Sequence, residues 1–186
     1  TTGLNMRRDQ VLAIGAVVID NGAIDFAEQF ECTLHQPDHQ ASASTLIHGI
    51  APSEVARGVD PAEALLDFME FVGSSPLLAF HAGFDQRMLA RALRQSLGYR
   101  LQHHFFDVAE IAPLLCPQAR IRQGGLDDWV AEFGLQVHQR HNASADALVT
   151  AELALMLFSK ARRQGIDSLC ELERQLASRR RRQQAM

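Results

Sequence analysis

A histidine and an aspartate stand five residues apart in Arg140-His141-Asn142-Ala143-Ser144-Ala145-Asp146, just ahead of a helical pattern. Leu148, Ala151, Leu155 and Phe158 recur at helical spacing and predict a core-facing stripe on a helix ending near Arg163. Asp146 then falls in the first turn of that helix, a fixed carboxylate suited to a cation. His141 falls in the approach to it, an imidazole suited to proton transfer. Asp85 has an equivalent setting. Pro76 to Phe80 reads as a short buried strand, and His81-Ala82-Gly83-Phe84-Asp85 carries it directly into another helix. Open α/β sheets place their sites at the carboxyl ends of strands, so two carboxylates at separate helix starts could converge there on divalent cations. Neither feature is specific alone. With 8 histidines and 12 aspartates in 186 residues, composition supplies ~0.5 His-x4-Asp matches by chance. An aspartate at a helix start also stabilises that helix by ~0.3–1 kcal/mol without any further role.

The elements that must position these groups are legible along the chain. Residues 11–19 form an apolar strand expected to be covered on both faces. Asp20-Asn21-Gly22 signals a hairpin, and Ile24, Phe26, Phe30, Cys32 and Leu34 keep even parity through a returning strand. Residues 35–46 are mostly polar, and a short helix follows Pro52. Asp60-Pro61-Ala62-Glu63 starts a helix carrying Leu65, Leu66, Phe68, Met69 and Val72, stopped by Gly73. The helix after Phe80 turns Met88, Leu89, Ala92 and Leu93 inward and ends at Gly98. Phe105-Phe106-Asp107 is a last short strand, followed by a helix through Leu115 that Pro117 closes. Another helix spans Leu126 to Phe133. Ser168-Leu169-Cys170-Glu171 is a capping box for a final helix that dissolves into Arg179-Arg180-Arg181-Arg182. No repeat or linker divides the chain, so the expectation is one α/β domain.

Composition narrows the function. Hydrophobic residues make up 47% and charged residues 22%, as in a soluble globular protein, and no apolar run is long enough for a membrane span. No secretory signal pattern opens the chain. Cys32, Cys116 and Cys170 lack metal-ligand spacing and are expected to be reduced, buried thiols of a cytoplasmic protein. A net charge of -4 excludes a general polyanion binder, so nucleic acid must be met through a local site. The arginine run 179–182 reads as a solvated helix end, with a grip on nucleic-acid phosphates as the alternative.

Four short motifs together carry a resemblance. Thr1-Thr2-Gly3-Leu4, Ile47-His48-Gly49-Ile50, Phe80-His81-Ala82-Gly83-Phe84-Asp85 and His141-x4-Asp146 occur in the order and spacing of the DEDDh, or DnaQ-like, 3′–5′ exonucleases. The resemblance runs from residue 1 to about residue 163. It implies a ribonuclease-H-like α/β fold, a mixed central sheet flanked by helices. The exonuclease domain would span residues 1–165, and residues 166–186 would form a C-terminal helix and basic tail. It further implies two divalent ions, Mg²⁺ or Mn²⁺, and hydrolysis of phosphodiester bonds at the 3′ end of single-stranded DNA, as in proofreading or repair. Asp85 and Asp146 would hold metal and His141 would activate the attacking water. Thr2, Gly3, Leu4, His48, His81 and Phe84 would line the pocket for the terminal nucleotide. A DNA polymerase or another replication or repair protein is the implied partner.

Two departures from the family pattern stand out. Ala82 occupies a position where asparagine is common, which removes one hydrogen-bonding side chain. The family's Asp-x-Glu motif, on a first strand immediately before Thr-Thr-Gly, is not in the sequence, so a longer, active chain carrying that strand is expected. The competing readings are an exoribonuclease of the same family and a non-catalytic scaffold that kept the fold.

Overall fold

The computed structural model describes residues 1–3, 9–37, 49–119, 121, 124–136 and 142–184. Strands β1 (Ala13–Asp20) and β2 (Ala23–Thr33) form an antiparallel hairpin. Its turn residues, Asn21 and Gly22, both have positive φ, 49° and 81°, which matches the right-handed twist of the flanking strands. The expected even parity of β2 fails. Pairing runs from Ala13 opposite Thr33 to Val17 opposite Gln29 and then jumps to Val18 opposite Asp25. Residues 26–28 bulge out between the two registers. The Asp25 carboxylate accepts the Ala27 N–H at 2.9 Å, and the Gln29 amide donates to the Phe26 carbonyl at 2.7 Å. An odd insertion flips the faces of a strand. Ile24 therefore lies on the face opposite Phe30, and Phe26 is 65% exposed.

Helix α1 (Pro52–Val55) precedes α2 (Pro61–Val72), whose first turn is capped by Asp60 accepting from Ala62 and Glu63 N–H. Strand β3 (Leu77–Ala79), helix α3 (Ala82–Leu97) and strand β4 (Phe105–Asp107) make a β-α-β unit with parallel strands, Leu77 opposite Phe105 and Ala79 opposite Asp107. Gly98, at φ 64°, ends α3 as expected, with its N–H on the Arg94 carbonyl and Tyr99 N–H on that of Leu93. Helices α4 (Val108–Leu115), α5 (Leu126–Glu132), α6 (Ala143–Arg163) and α7 (Leu169–Gln184) follow. The Ser168 hydroxyl accepts the Glu171 N–H at 3.2 Å at the start of α7. That helix does not dissolve at the arginines. It continues through them to Gln184.

The strands lie between two helical layers, because alternate side chains leave opposite faces of each strand. Ile14, Ala16, Leu77 and Phe105 face Leu65, Phe68 and Val72 of α2 and Leu89 and Leu93 of α3. Ile19, Leu78, Phe80 and Phe106 face the larger cluster built by α4 to α7, with Ile111, Trp129, Leu153, Leu157 and Leu176 at its centre. The stripe expected on α6 is displaced. Val149, Leu153, Ala154 and Leu157 are buried, whereas Leu148, Leu155 and Phe158 flank that face half-buried.

Among the described residues the strands form two ladders, β1-β2 antiparallel and β3-β4 parallel, instead of one mixed sheet. One edge of β1 and one of β3 lack a described partner strand, and both apolar strands are half-buried. Of the thiols, Cys116 is buried, Cys32 half-buried and Cys170 exposed, so only part of the expected burial is found. Burial raises the pKa of both Cys32 and Cys116, which keeps these thiols protonated and unreactive. No helix among the described residues is long and apolar enough to cross a membrane.

Candidate active site

The carboxyl ends of β3 and β4 carry His81 and Asp107. Asp107 ends β4 and caps α4, its Oδ1 accepting the Ala109 N–H at 2.9 Å. The same oxygen accepts the His81 N–H, also at 2.9 Å. One carboxylate thus fastens the β3–α3 turn to the start of α4. The fastening matters because His81 is held in the left-handed region at φ 62°, a conformation that a non-glycine residue adopts at some cost. This turn sets the first turn of α3, including Asp85. The His81 ring is exposed and meets Phe80 edge to face at 4.8 Å.

Asp85 is exposed to water, yet the protein packed around its carboxylate impedes hydration of the charge. Burial, reinforced by the negative charge of Asp107, raises its pKa to about 6. The hydrogen bond to its own N–H and the nearby His81 pull the other way and only partly offset this. Thr1 is a neighbour of Asp85. The Thr1–Gly3 segment is pinned by Asp9 and Gln10. Thr2 N–H donates to the Gln10 carbonyl at 3.0 Å, the Thr2 hydroxyl donates to Asp9 at 3.1 Å and accepts Gln10 N–H at 2.9 Å. A Cβ on Gly3 would come within 2.6 Å of the Asp9 carboxylate, so this position takes only glycine without rearrangement.

Asp146 lies in the first turn of α6 as expected. Asn142 caps the helix by accepting from Ser144 and Ala145 N–H, and the Thr150 hydroxyl donates to the Asp146 carbonyl at 2.7 Å. The helix start rests on β1 at Gly15, where a Cβ would sit 2.3 Å from the Ala143 carbonyl carbon. Ser144 Oγ is buried there without a hydrogen-bond partner among the described residues.

The structure thus brings Thr1, the Thr2–Gly3 turn, His81, Asp85 and Asp107 into one neighbourhood. Asp146 is fixed separately by α6, and among the described residues no three acidic, histidine or cysteine side chains converge on a point. Phe84 packs one side against the cluster of Val11, Leu34, Ala64 and Met88 and remains partly exposed. Leu4, His48 and His141 lie outside the described residues. The sequence reading assigned no role to Asp107 beyond ending a strand and none to Gly15 or Ser144. An aspartate one residue before a helix is a cap signal. A glycine inside an apolar strand marks a close backbone approach.

Comparison with known proteins bears on the family and the fold. The profile of a family described as Exonuclease (RNase_T) matches residues 1–154. The DNA polymerase III PolC-type protein of Thermotoga petrophila is 31% identical over 174 residues, 93% of this chain. The chain spans only 12% of that relative's length. The DNA polymerase III subunit epsilon of Treponema pallidum is 31% identical over 154 residues, covering 82% of this chain and 70% of that protein. Two solved structures share the fold. Exonuclease X in complex with 5′-overhanging duplex DNA gives a TM-score of 0.64 at 20% identity, over 87% of this chain and 89% of that one. E. coli Exonuclease I in complex with a dT13 oligonucleotide gives 0.71 at 17%, over 88% and 40%. The α/β, ribonuclease-H-like architecture expected from the motifs is the one found.

Proposed function

Because the chain belongs to the Exonuclease (RNase_T) family, we propose that it hydrolyses phosphodiester bonds from the 3′ end of single-stranded DNA with divalent cations. The observation that carries this reading is the Asp85 carboxylate beside the Thr1–Gly3 turn, at the carboxyl ends of β3 and β4. Impeded hydration and the Asp107 charge raise its pKa to about 6, so a cation would relieve that cost, and the exposure of the residue gives a cation access. Oxygen donors of this kind suit Mg²⁺ or Mn²⁺, with which the family works.

In this reading Asp85 and Asp146 hold cations, and His141 accepts the proton of the attacking water. Such help from a histidine is worth about 10²–10⁴ in rate. A bound cation pair supplies positive charge to the attacking and leaving oxygens of an in-line displacement. Thr2, Gly3, Leu4, His48, His81 and Phe84 would contact the terminal nucleotide, with Asp107 holding His81 in place. Two more carboxylates complete the family's metal set. The edges of β1 and β3 that lack a described partner are where a strand carrying them would pair. The exonuclease unit would span residues 1–165.

DNA in the two solved relatives and the polymerase names of the curated ones support DNA as substrate and a DNA polymerase as partner. That work belongs in the cytoplasm. The test is degradation of matched DNA and RNA oligonucleotides with Mg²⁺, Mn²⁺ or EDTA. DNA should be degraded with either cation and survive in EDTA. Degradation in EDTA, or preference for RNA, contradicts the reading.

A further inference from the structure

The arginine run 179–182 has a defined place in the fold. Helix α7 buries Leu172 and Leu176 in the cluster that contains Ile111 and Leu115 of α4. Two polar contacts then fix its direction. Glu173 meets His104, just before β4, at 3.3 Å. Arg180 meets Glu110, just after β4, through Nε at 2.8 Å and through Nη2. Seven helical residues rise about 10.5 Å, and three strand residues from His104 to Asp107 advance about 10 Å. The helix therefore runs alongside β4 in the same direction. Its arginine end lies at the carboxyl end of that strand, where Asp107, His81 and Asp85 stand.

A cleft of about 470 Å³ occupies the same end, lined by His81, Asp107, Glu110, Pro113, Gly124 and Trp129. Glu110 is thus both a wall of the cleft and the partner of Arg180. That pairing offsets a negative charge which would otherwise repel a phosphate. Arg181 and Arg182 are exposed and Arg179 is half-buried. None of the three has an ion-pair partner among the described residues. Successive helical residues are turned by about 100°, so Arg179 and Arg181 stand on either side of Arg180. Compensation of the helix C-terminus, worth ~0.3–1 kcal/mol, explains cations in the last turn. It does not explain why they are gathered at the helix end that Arg180 ties to Glu110, a wall of the cleft, in a protein whose net charge is -4.

We propose that Arg179, Arg181 and Arg182 form a phosphate-binding surface for the single strand that leads into the active site through this cleft. The proposal rests on the exonuclease reading and adds a second contact region to it. The strand's terminal nucleotide sits by Asp85, and phosphates several nucleotides away lie on the arginines. Arg180 stays engaged with Glu110 and holds the surface in position.

The test compares the full-length protein with an R179A/R181A/R182A variant, which keeps Arg180. Fluorescence anisotropy in EDTA reads binding of a labelled single-stranded DNA of about 15 nucleotides across a salt series. Single strands contribute a slope of about 0.7 per neutralised phosphate. The variant should lose about 2 from the log–log salt slope and bind about tenfold or more weakly at low salt. Lysine at all three positions should restore the slope. Hydrolysis of thymidine 5′-(p-nitrophenyl phosphate), too short to reach α7, should be unchanged. Equal slopes and affinities for wild type and the alanine variant overturn the proposal, as does a wild type that does not bind the oligonucleotide. A wild type that binds but hydrolyses neither substrate overturns the exonuclease reading alone, and the binding comparison still decides the arginine surface.

Discussion

Asp107 separates structural from electrostatic roles within one side chain, and two substitutions pull these apart. Asp107→Ala removes the acceptor of both the Ala109 and His81 N–H groups, each held at 2.9 Å. Loss of the α4 cap costs about 1 kcal/mol. Loss of the His81 bond adds about 1 kcal/mol, toward the low end because that N–H is accessible to water. The sum, about 2 kcal/mol, should lower the Tm by about 4–8 °C in a chain of this size. Asp107→Asn keeps an oxygen able to accept both bonds and removes only the charge, so its Tm should stay within about 2 °C of wild type. Both variants should lower the pKa of Asp85, because the Asp107 charge helps raise it. Thermal unfolding by circular dichroism near pH 7 reads the difference. Equal Tm values for the two variants would refute the reasoning, since the bonds would then contribute nothing beyond charge.

Asp85 gives a pH-dependent prediction of opposite sign to an ordinary paired carboxylate. Its folded pKa of about 6 exceeds its ordinary value of 3.8, so the native state binds the proton more tightly and stability falls as pH rises between those values. Asp85→Asn should match wild type in Tm near pH 4 and exceed it near pH 7 in EDTA, while losing exonuclease activity; a lower Tm at both pH values contradicts the account. Gly15→Ala should destabilise by about 3 kcal/mol or more, because its Cβ would lie 2.3 Å from the Ala143 carbonyl carbon and overpacking against backbone has no cheap relief. Activity should fall with it, since α6 carries Asp146; a Tm within about 2 °C of wild type would refute the close approach.

Most of the framework was legible because its signals are local. Asn21-Gly22, Asp60-Pro61, Gly98 and the periodicity of α2, α3 and α6 each act through neighbouring residues, and the structure has the elements there. The errors fall where distant contacts decide. The bulge at residues 26–28 rests on side-chain bonds that alternation cannot reveal. The continuation of α7 through Arg179–Arg182 depends on Leu172 and Leu176 in the core and on Glu110, seventy residues earlier in the chain. At the candidate site, Asp85 and Asp146 stand in the first helical turns where the sequence pattern puts them. The double use of Asp107 needed the β3–β4 pairing, which sets the β3–α3 turn beside α4.

The central claim is that this family member removes nucleotides from a 3′ end with Asp85, Asp146 and His141 as its working groups. The most direct measurement is single-turnover degradation of a 5′-labelled single-stranded DNA by the full-length protein with Mn²⁺, beside His141→Ala and Asp146→Asn. The account predicts a ladder shortened from the 3′ end, slowed by about 10²-fold or more in each variant. Label released first as a mononucleotide, or variants as fast as wild type, would contradict it.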